Sequence, residues 1–272
     1  MDERTKEILT KVPAVTLGFW IIKILCTTLG ETGADSVTMT LFGETTPDAD
    51  KMGVNGYLAG IAIFGAVLVV MMVLQILAKK FHPWLYWLTI IASTTAGTAM
   101  ADFADRSLGI GYPGGSLLLF ACVIASLMVW RFTLGSVSVN TIISWRQEIF
   151  YWITITFSQT LGTALGDWVG DEKALGYAGG AAAFSGALGV VAALYFFTKV
   201  NRVLLFWAAF ILTRPLGATV GDFFDKPLSQ GGIGVERPIA TAILAILIVT
   251  LIIVLPQKSG RHPGAEEEPV KS

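Results

Sequence analysis

A tryptophan, nine residues, a glycine, three residues, a glycine or alanine and then an aspartate recur four times without a gap in 272 residues. The copies are Trp20/Gly30/Ala34/Asp35, Trp87/Gly97/Ala101/Asp102, Trp152/Gly162/Gly166/Asp167 and Trp207/Gly217/Gly221/Asp222. A register kept four times makes the chain a tandem array, in which one structural unit must be built again and again.

The unit is a pair of membrane spans. The chain is 54% hydrophobic and 14% charged, and apolar runs near the roughly 20 residues needed to cross a bilayer follow one another along it. Eight segments are expected, at 13–35, 54–78, 84–102, 113–131, 149–167, 176–198, 202–222 and 238–255. Each odd segment carries the Trp–Gly–Asp register. Two spans return the chain to its starting side, so the repeats are parallel rather than inverted. The expected fold is all-α: a polytopic membrane protein with eight transmembrane helices from four parallel two-helix repeats. Residues 1–12 form an N-terminal segment, 13–131 hold repeats 1 and 2, 132–148 an inner linker, 149–255 repeats 3 and 4, and 256–272 a disordered tail. The linker is the expected seam between two halves.

Lysine and arginine set the orientation. The termini and the even-to-odd loops hold twelve: Arg4, Lys6, Lys11, Lys79, Lys80, Arg131, Arg146, Lys199, Arg202, Lys258, Arg261 and Lys271. The opposite loops hold five: Lys51, Arg106, Lys173, Lys226 and Arg237. Both termini are therefore expected in the cytoplasm, with acidic loops containing Asp48, Asp50 and Asp171 outside. The start, Met1-Asp2-Glu3-Arg4, is too acidic for a signal peptide.

Candidate chemistry lies on the odd segments. Fifteen residues at ~1.5 Å each put every repeated aspartate about 22 Å from its tryptophan, at the carboxyl end of a helix, where a negative charge is electrostatically misplaced. Steps of four back from each aspartate trace a polar stripe: Lys23, Thr27, Glu31, Asp35; then Thr94, Thr98, Asp102; then Gln159, Thr163, Asp167; then Arg214, Asp222. Charges along one face of a membrane helix face protein, water or a partner. Asp35, Asp102, Asp167, Asp222 and Glu31 are the candidate ion ligands; Thr98, Thr163 and Gln159 line the path, and Lys23 and Arg214 are the counter-charges. Pro215 beside Arg214 removes a backbone donor and is expected to kink its helix. Gly30, Gly97, Gly162, Gly166, Gly217 and Gly221 are expected to let helices approach closely. A weaker Gly-Tyr-x-x-Gly motif opens three even segments at Gly56, Gly111 and Gly176, read as an interfacial tyrosine with a re-entry turn.

Oxygen ligands of this kind suit Mg²⁺, Mn²⁺ or Ca²⁺. His82 and His262 lie in a loop and the tail, and Cys26 and Cys122 are read as core residues, so a soft-metal site is undersupplied. No basic cluster suits nucleic acid, and no phosphate loop or hydrolase motif is present; no enzyme is expected, and no cofactor beyond a bound divalent cation as cargo. The chain resembles a family of bacterial membrane proteins with a tandem repeat of unknown function, two spans and one tryptophan per repeat. The resemblance covers about residues 13–255, with repeat 1 departing through the longer stretch after Asp35. It implies the topology and a bacterial inner-membrane setting, and no activity. The expectation from the residues is a secondary transporter of a Mn²⁺-like cation, proton-coupled and exporting. Alternatives are a proton-coupled carrier of a small organic ion held by Arg214 or Lys23, and a non-transporting scaffold or sensor. Partners are the bilayer and the cargo; a homo-oligomer is compatible.

Overall fold

The computed structural model describes residues 10–43, 55–139, 142, 144–172 and 175–260, without the side chains of 171 and 172. Eight long helices follow the expected segments: α1 Leu17–Asp35, α2 Gly56–Leu77, α3 Pro83–Asp102, α4 Tyr112–Leu134, α5 Trp145–Asp167, α6 Gly176–Phe197, α7 Arg202–Asp225 and α8 Arg237–Val254. The described residues contain no β-strand; Pro13 and Ser259 form one isolated bridge.

The ends are written into local chemistry. Thr16, Asn55, Asn201 and Ser144 cap α1, α2, α7 and α5 with side-chain oxygens, Ser144 in a reciprocal box with Gln147; each satisfies amide groups that the first turn leaves open. α4 stops at Gly135, whose φ of +79° is readily reached only without a Cβ. α1, α3 and α5 do not end at their aspartates. Each runs on as a π-helical turn, Ser36–Leu41, Phe103–Ser107 and Trp168–Glu172, so the expected helix-terminal placement of these carboxylates is corrected. Wider turns of this kind often mark functional positions. α7 is helical through Pro215 from Arg202 to Asp225, so the proline does not break it.

The odd helices form a closed inner ring: α1 packs on α3, α3 on α5, α5 on α7, and α7 back on α1. The even helices stand outside, and each joins the next repeat: α2 packs on α3, α4 on α5, α6 on α7 and α8 on α1. Each repeat therefore lends its outer helix to the next. The 132–148 linker marks no seam, because α3 and α4 pack on α5 across it. Its Val139 and Ile142 are buried in the core. Five helices, α2, α4, α6, α7 and α8, are long and apolar enough to cross a membrane. α1, α3 and α5 are too polar to meet that criterion, for a visible reason: ring helices are wrapped by neighbours and need little lipid-facing surface. The outer helices present leucine, valine and isoleucine outward, as at Val69, Leu117, Val190 and Ile246.

The ends of the ring differ. Near the start of the odd helices an aromatic plug of Phe19, Tyr86, Trp87, Trp130, Tyr151, Trp152, Phe206, Trp207 and Phe210 fills the interior. There the Tyr86 and Tyr151 hydroxyls are 2.8 Å apart. The repeated tryptophans Trp87, Trp152 and Trp207 are thus core residues. Residues 256–260, assigned from sequence to a disordered tail, are held at this end: the Ala14 amide donates to Lys258 O at 2.9 Å and Trp87 Nε1 donates to Gln257 Oε1 at 3.1 Å. The rest of that tail, 261–272, and residues 1–9, 44–54, 140–141, 143 and 173–174 lie outside the described residues.

Candidate functional site

Glycines set the ring's geometry, and they do so cyclically. A Cβ on Gly30 would collide with Thr94, one on Gly162 with Arg214, and one on Gly217 with Thr27; on Gly97 it would meet Gln159 and Thr160 at 3.0–3.1 Å. Each of these glycines lies five residues before its own aspartate. Its partner at Thr94, Gln159, Arg214 or Thr27 lies eight before the aspartate of the next ring helix. A second tier repeats the rule, with Gly166 against Ala218 and Gly221 against Glu31. Four parallel helices in one register follow, with the polar stripes turned inward.

Three layers result. In the deepest lie Thr27, Thr94, Gln159 and Arg214, all fully buried, and in the middle Glu31, Thr98 and Thr163. Arg214 reaches up from α7, and its Nη2, with two hydrogens to share, lies within hydrogen-bond distance of Glu31 Oε2 of α1 at 2.9 Å and of Thr98 Oγ1 of α3 and Thr163 Oγ1 of α5 at 2.5 Å. One guanidinium therefore ties all four ring helices together. Its Nε and Nη1, both amide atoms of Gln159 and the Ser158 hydroxyl are buried without a hydrogen-bond partner among the described residues. Lys23 behaves differently from the expected counter-charge. Its ammonium donates to Thr213 Oγ1 at 3.1 Å and sits 3.8 Å from the centre of the Phe210 ring, with no carboxylate paired to it among the described residues.

The upper layer holds the four repeated aspartates, none more than 2% exposed. They are not a bare acid ring. Arg106 joins neighbours α3 and α5, its Nη2 3.2 Å from Asp167 and its Nε 3.5 Å from Asp102. Lys226 joins α7 and α1, 3.1 Å from Asp222 and 3.4 Å from Asp35. Arg237 adds 3.0 Å to Asp225 and 3.8 Å to Asp35. These three cations, assigned from sequence to outer loops, are site residues. Arg106 and Lys226 sit four residues after an aspartate, one turn further along the same stripe, and that spacing is the signal that could have found them. Tyr57 and Tyr112, from the Gly-Tyr motif, accept hydrogen bonds from Arg106 at 3.2 and 3.3 Å. Two of the motif's three tyrosines therefore reach the site.

Two groups of carboxylates have ligand atoms within 4.8 Å of one another: Glu31, Asp167 and Asp222, and Asp35, Asp222 and Asp225. Asp102, expected as a fourth equivalent ligand, belongs to neither and pairs with Arg106. Asp225 takes its place. Among the described residues this end buries seven carboxyl groups, Glu31, Asp35, Asp102, Asp105, Asp167, Asp222 and Asp225, against the four cations Arg106, Arg214, Lys226 and Arg237.

An inner ring of polar-striped helices inside an outer ring of apolar ones defines an integral membrane protein with a buried, acid-rich centre. The chain belongs to the family described as Repeat of Unknown Function (DUF347), which matches residues 18–81, 85–135, 150–201 and 205–256. These four matches fall one on each helix pair. Comparison with curated proteins and with solved structures gives no significant match.

Proposed function

We propose that the protein is a proton-coupled secondary transporter of a hard divalent cation, Mn²⁺-like, working outward across a bacterial inner membrane with both termini in the cytoplasm. The observation that carries this reading is the convergence of carboxylates from different ring helices at one buried point. Glu31, Asp167 and Asp222 offer oxygen ligands within 4.8 Å of one another, the chemistry that hard cations select. Lys226 and Arg106 hold the aspartates in the ion's absence. An arriving cation displaces the ammonium of Lys226, and protons on the carboxyl groups leave as it binds. Calorimetry on the purified chain in detergent tests this. Mn²⁺ binds with proton release, Zn²⁺ gains no preference, and Asp222→Asn weakens Mn²⁺ binding by at least about tenfold, the loss of ~1.4 kcal/mol of ligand energy. Mn²⁺ binding unaffected by Asp222→Asn would end this reading.

A second reading rests on Arg214. Two of its nitrogens and the Gln159 amide are buried without partners among the described residues, which favours a small organic anion held by the guanidinium while the aspartates carry protons. The same experiment with a panel of small carboxylates separates the two. A carboxylate bound by the wild type and lost in Arg214→Gln supports the second, and Mn²⁺ binding lost in Asp222→Asn supports the first.

A further inference from the structure

An apolar groove of about 400 Å³ opens on the flank of the bundle between α1, α6 and α7, walled by Val15, Trp20, Leu188, Val191, Phe206 and Ala209. It lies near the aromatic end, opposite the carboxylates, and has no part in the cation site. The tandem array explains why it is there. The equivalent indoles of Trp87 and Trp207 are covered by other parts of the chain, donating to Gln257 Oε1 at 3.1 Å and to Val137 O at 3.0 Å. Trp20 stands at the corresponding level of α1 and forms part of the groove wall.

The chemistry of the lining selects an occupant. Apolar side chains dominate, so the occupant is a long apolar chain. The rim carries Arg202, whose guanidinium is held 4.5 Å from the Tyr195 ring centre and spends Nη1 on Tyr195 O at 2.5 Å. An apolar trough with one cation at its mouth complements an anionic phospholipid, the acyl chain in the groove and the phosphate at Arg202. We propose that this groove is a binding site for one anionic phospholipid of the leaflet at the basic end. The inference stands whatever the cargo proves to be.

The test is native mass spectrometry of the full chain released from nanodiscs made with equal phosphatidylglycerol and phosphatidylcholine of the same acyl chains. The wild type retains one phosphatidylglycerol in preference to phosphatidylcholine by about fivefold, the effect of one basic side chain on an anionic lipid. Arg202→Gln abolishes the preference, and Ala209→Trp, which fills the groove, lowers retention of both lipids. Ala192→Phe replaces Ala209→Trp if the latter fails to elute as the wild type does. Equal retention of the two lipids by the wild type, an unchanged preference in Arg202→Gln, or a lipid-free dimer with a second copy in the groove overturns the proposal.

Discussion

Arg214 brings one nitrogen to partners on three other helices, and among the described residues no other side chain touches the whole ring in this way. Because Glu31 is buried beside it, removing the arginine alone strands a carboxylate in a site closed to water. Arg214→Met is therefore expected to destabilise the folded chain by about 3–5 kcal/mol, while Arg214→Met with Glu31→Gln recovers much of that loss. Reversible unfolding in mixed micelles measures the coupling. Lys226 makes the opposite test. It bridges Asp35 and Asp222, 3.4 and 3.1 Å away, and on the proposed reading it competes with the cargo for Asp222. Lys226→Met is expected to raise apparent Mn²⁺ affinity by about tenfold, read by competition calorimetry; unchanged or weaker binding would show that the lysine is no competitor. The aspartates, Glu31 and Arg214 were legible in the sequence because the repeat fixes their register and charge is rare in apolar runs. Lys226, Arg106 and Arg237 were not, since beyond the aspartates the apolar pattern stops and a basic residue there looks like any loop charge. Lys23 was misread: a buried ammonium invites a carboxylate partner, and here a hydroxyl and an aromatic face satisfy it.

Between elements, small residues decide the distance. Ring helices touch where glycine faces the next helix, and a membrane offers no hydrophobic gain to offset a poor fit there. Gly162→Val drives its side chain into Arg214 and is expected to cost about 1–3 kcal/mol by overpacking, with loss of cation binding as the layers separate. Gly186 and Gly189 on the outer helix α6 have nothing within 4 Å of an added Cβ. Gly186→Ala is accordingly expected to leave thermal stability and binding unchanged. The positions of the helices were readable from apolar length, and the glycine spacing marked the contact faces. The cyclic order was hidden, because no single-repeat pattern states which neighbour a glycine meets. The π-turns after Asp35, Asp102 and Asp167 were equally hidden, since the sequences that follow share no common residue type.

At the scale of the molecule, four copies of one unit make a closed ring, and the departures from fourfold symmetry carry its chemistry. Only one ring helix supplies an arginine to the core, only α1 adds a glutamate beside it, at Glu31, and repeats 2 and 4 alone place a cation four residues past the aspartate. An even number of spans puts the chain ends on one face: reporter fusions at both termini are expected to respond as cytoplasmic, and a reporter in the Leu108–Gly111 turn as external. A split response from the termini would contradict the parallel repeat. Composition and periodicity were enough for the four helix pairs. They could not show that each repeat packs its outer helix on the ring helix of the next, which is a property of packing alone. Transport itself is measured most directly in proteoliposomes containing the purified chain, with an Mn²⁺-quenched dye inside and an imposed pH gradient. Proton-driven Mn²⁺ flux in the wild type and its loss in correctly folded Asp167→Asn and Asp222→Asn is the predicted result; no Mn²⁺ flux in the wild type, or equal flux in all three, contradicts the account.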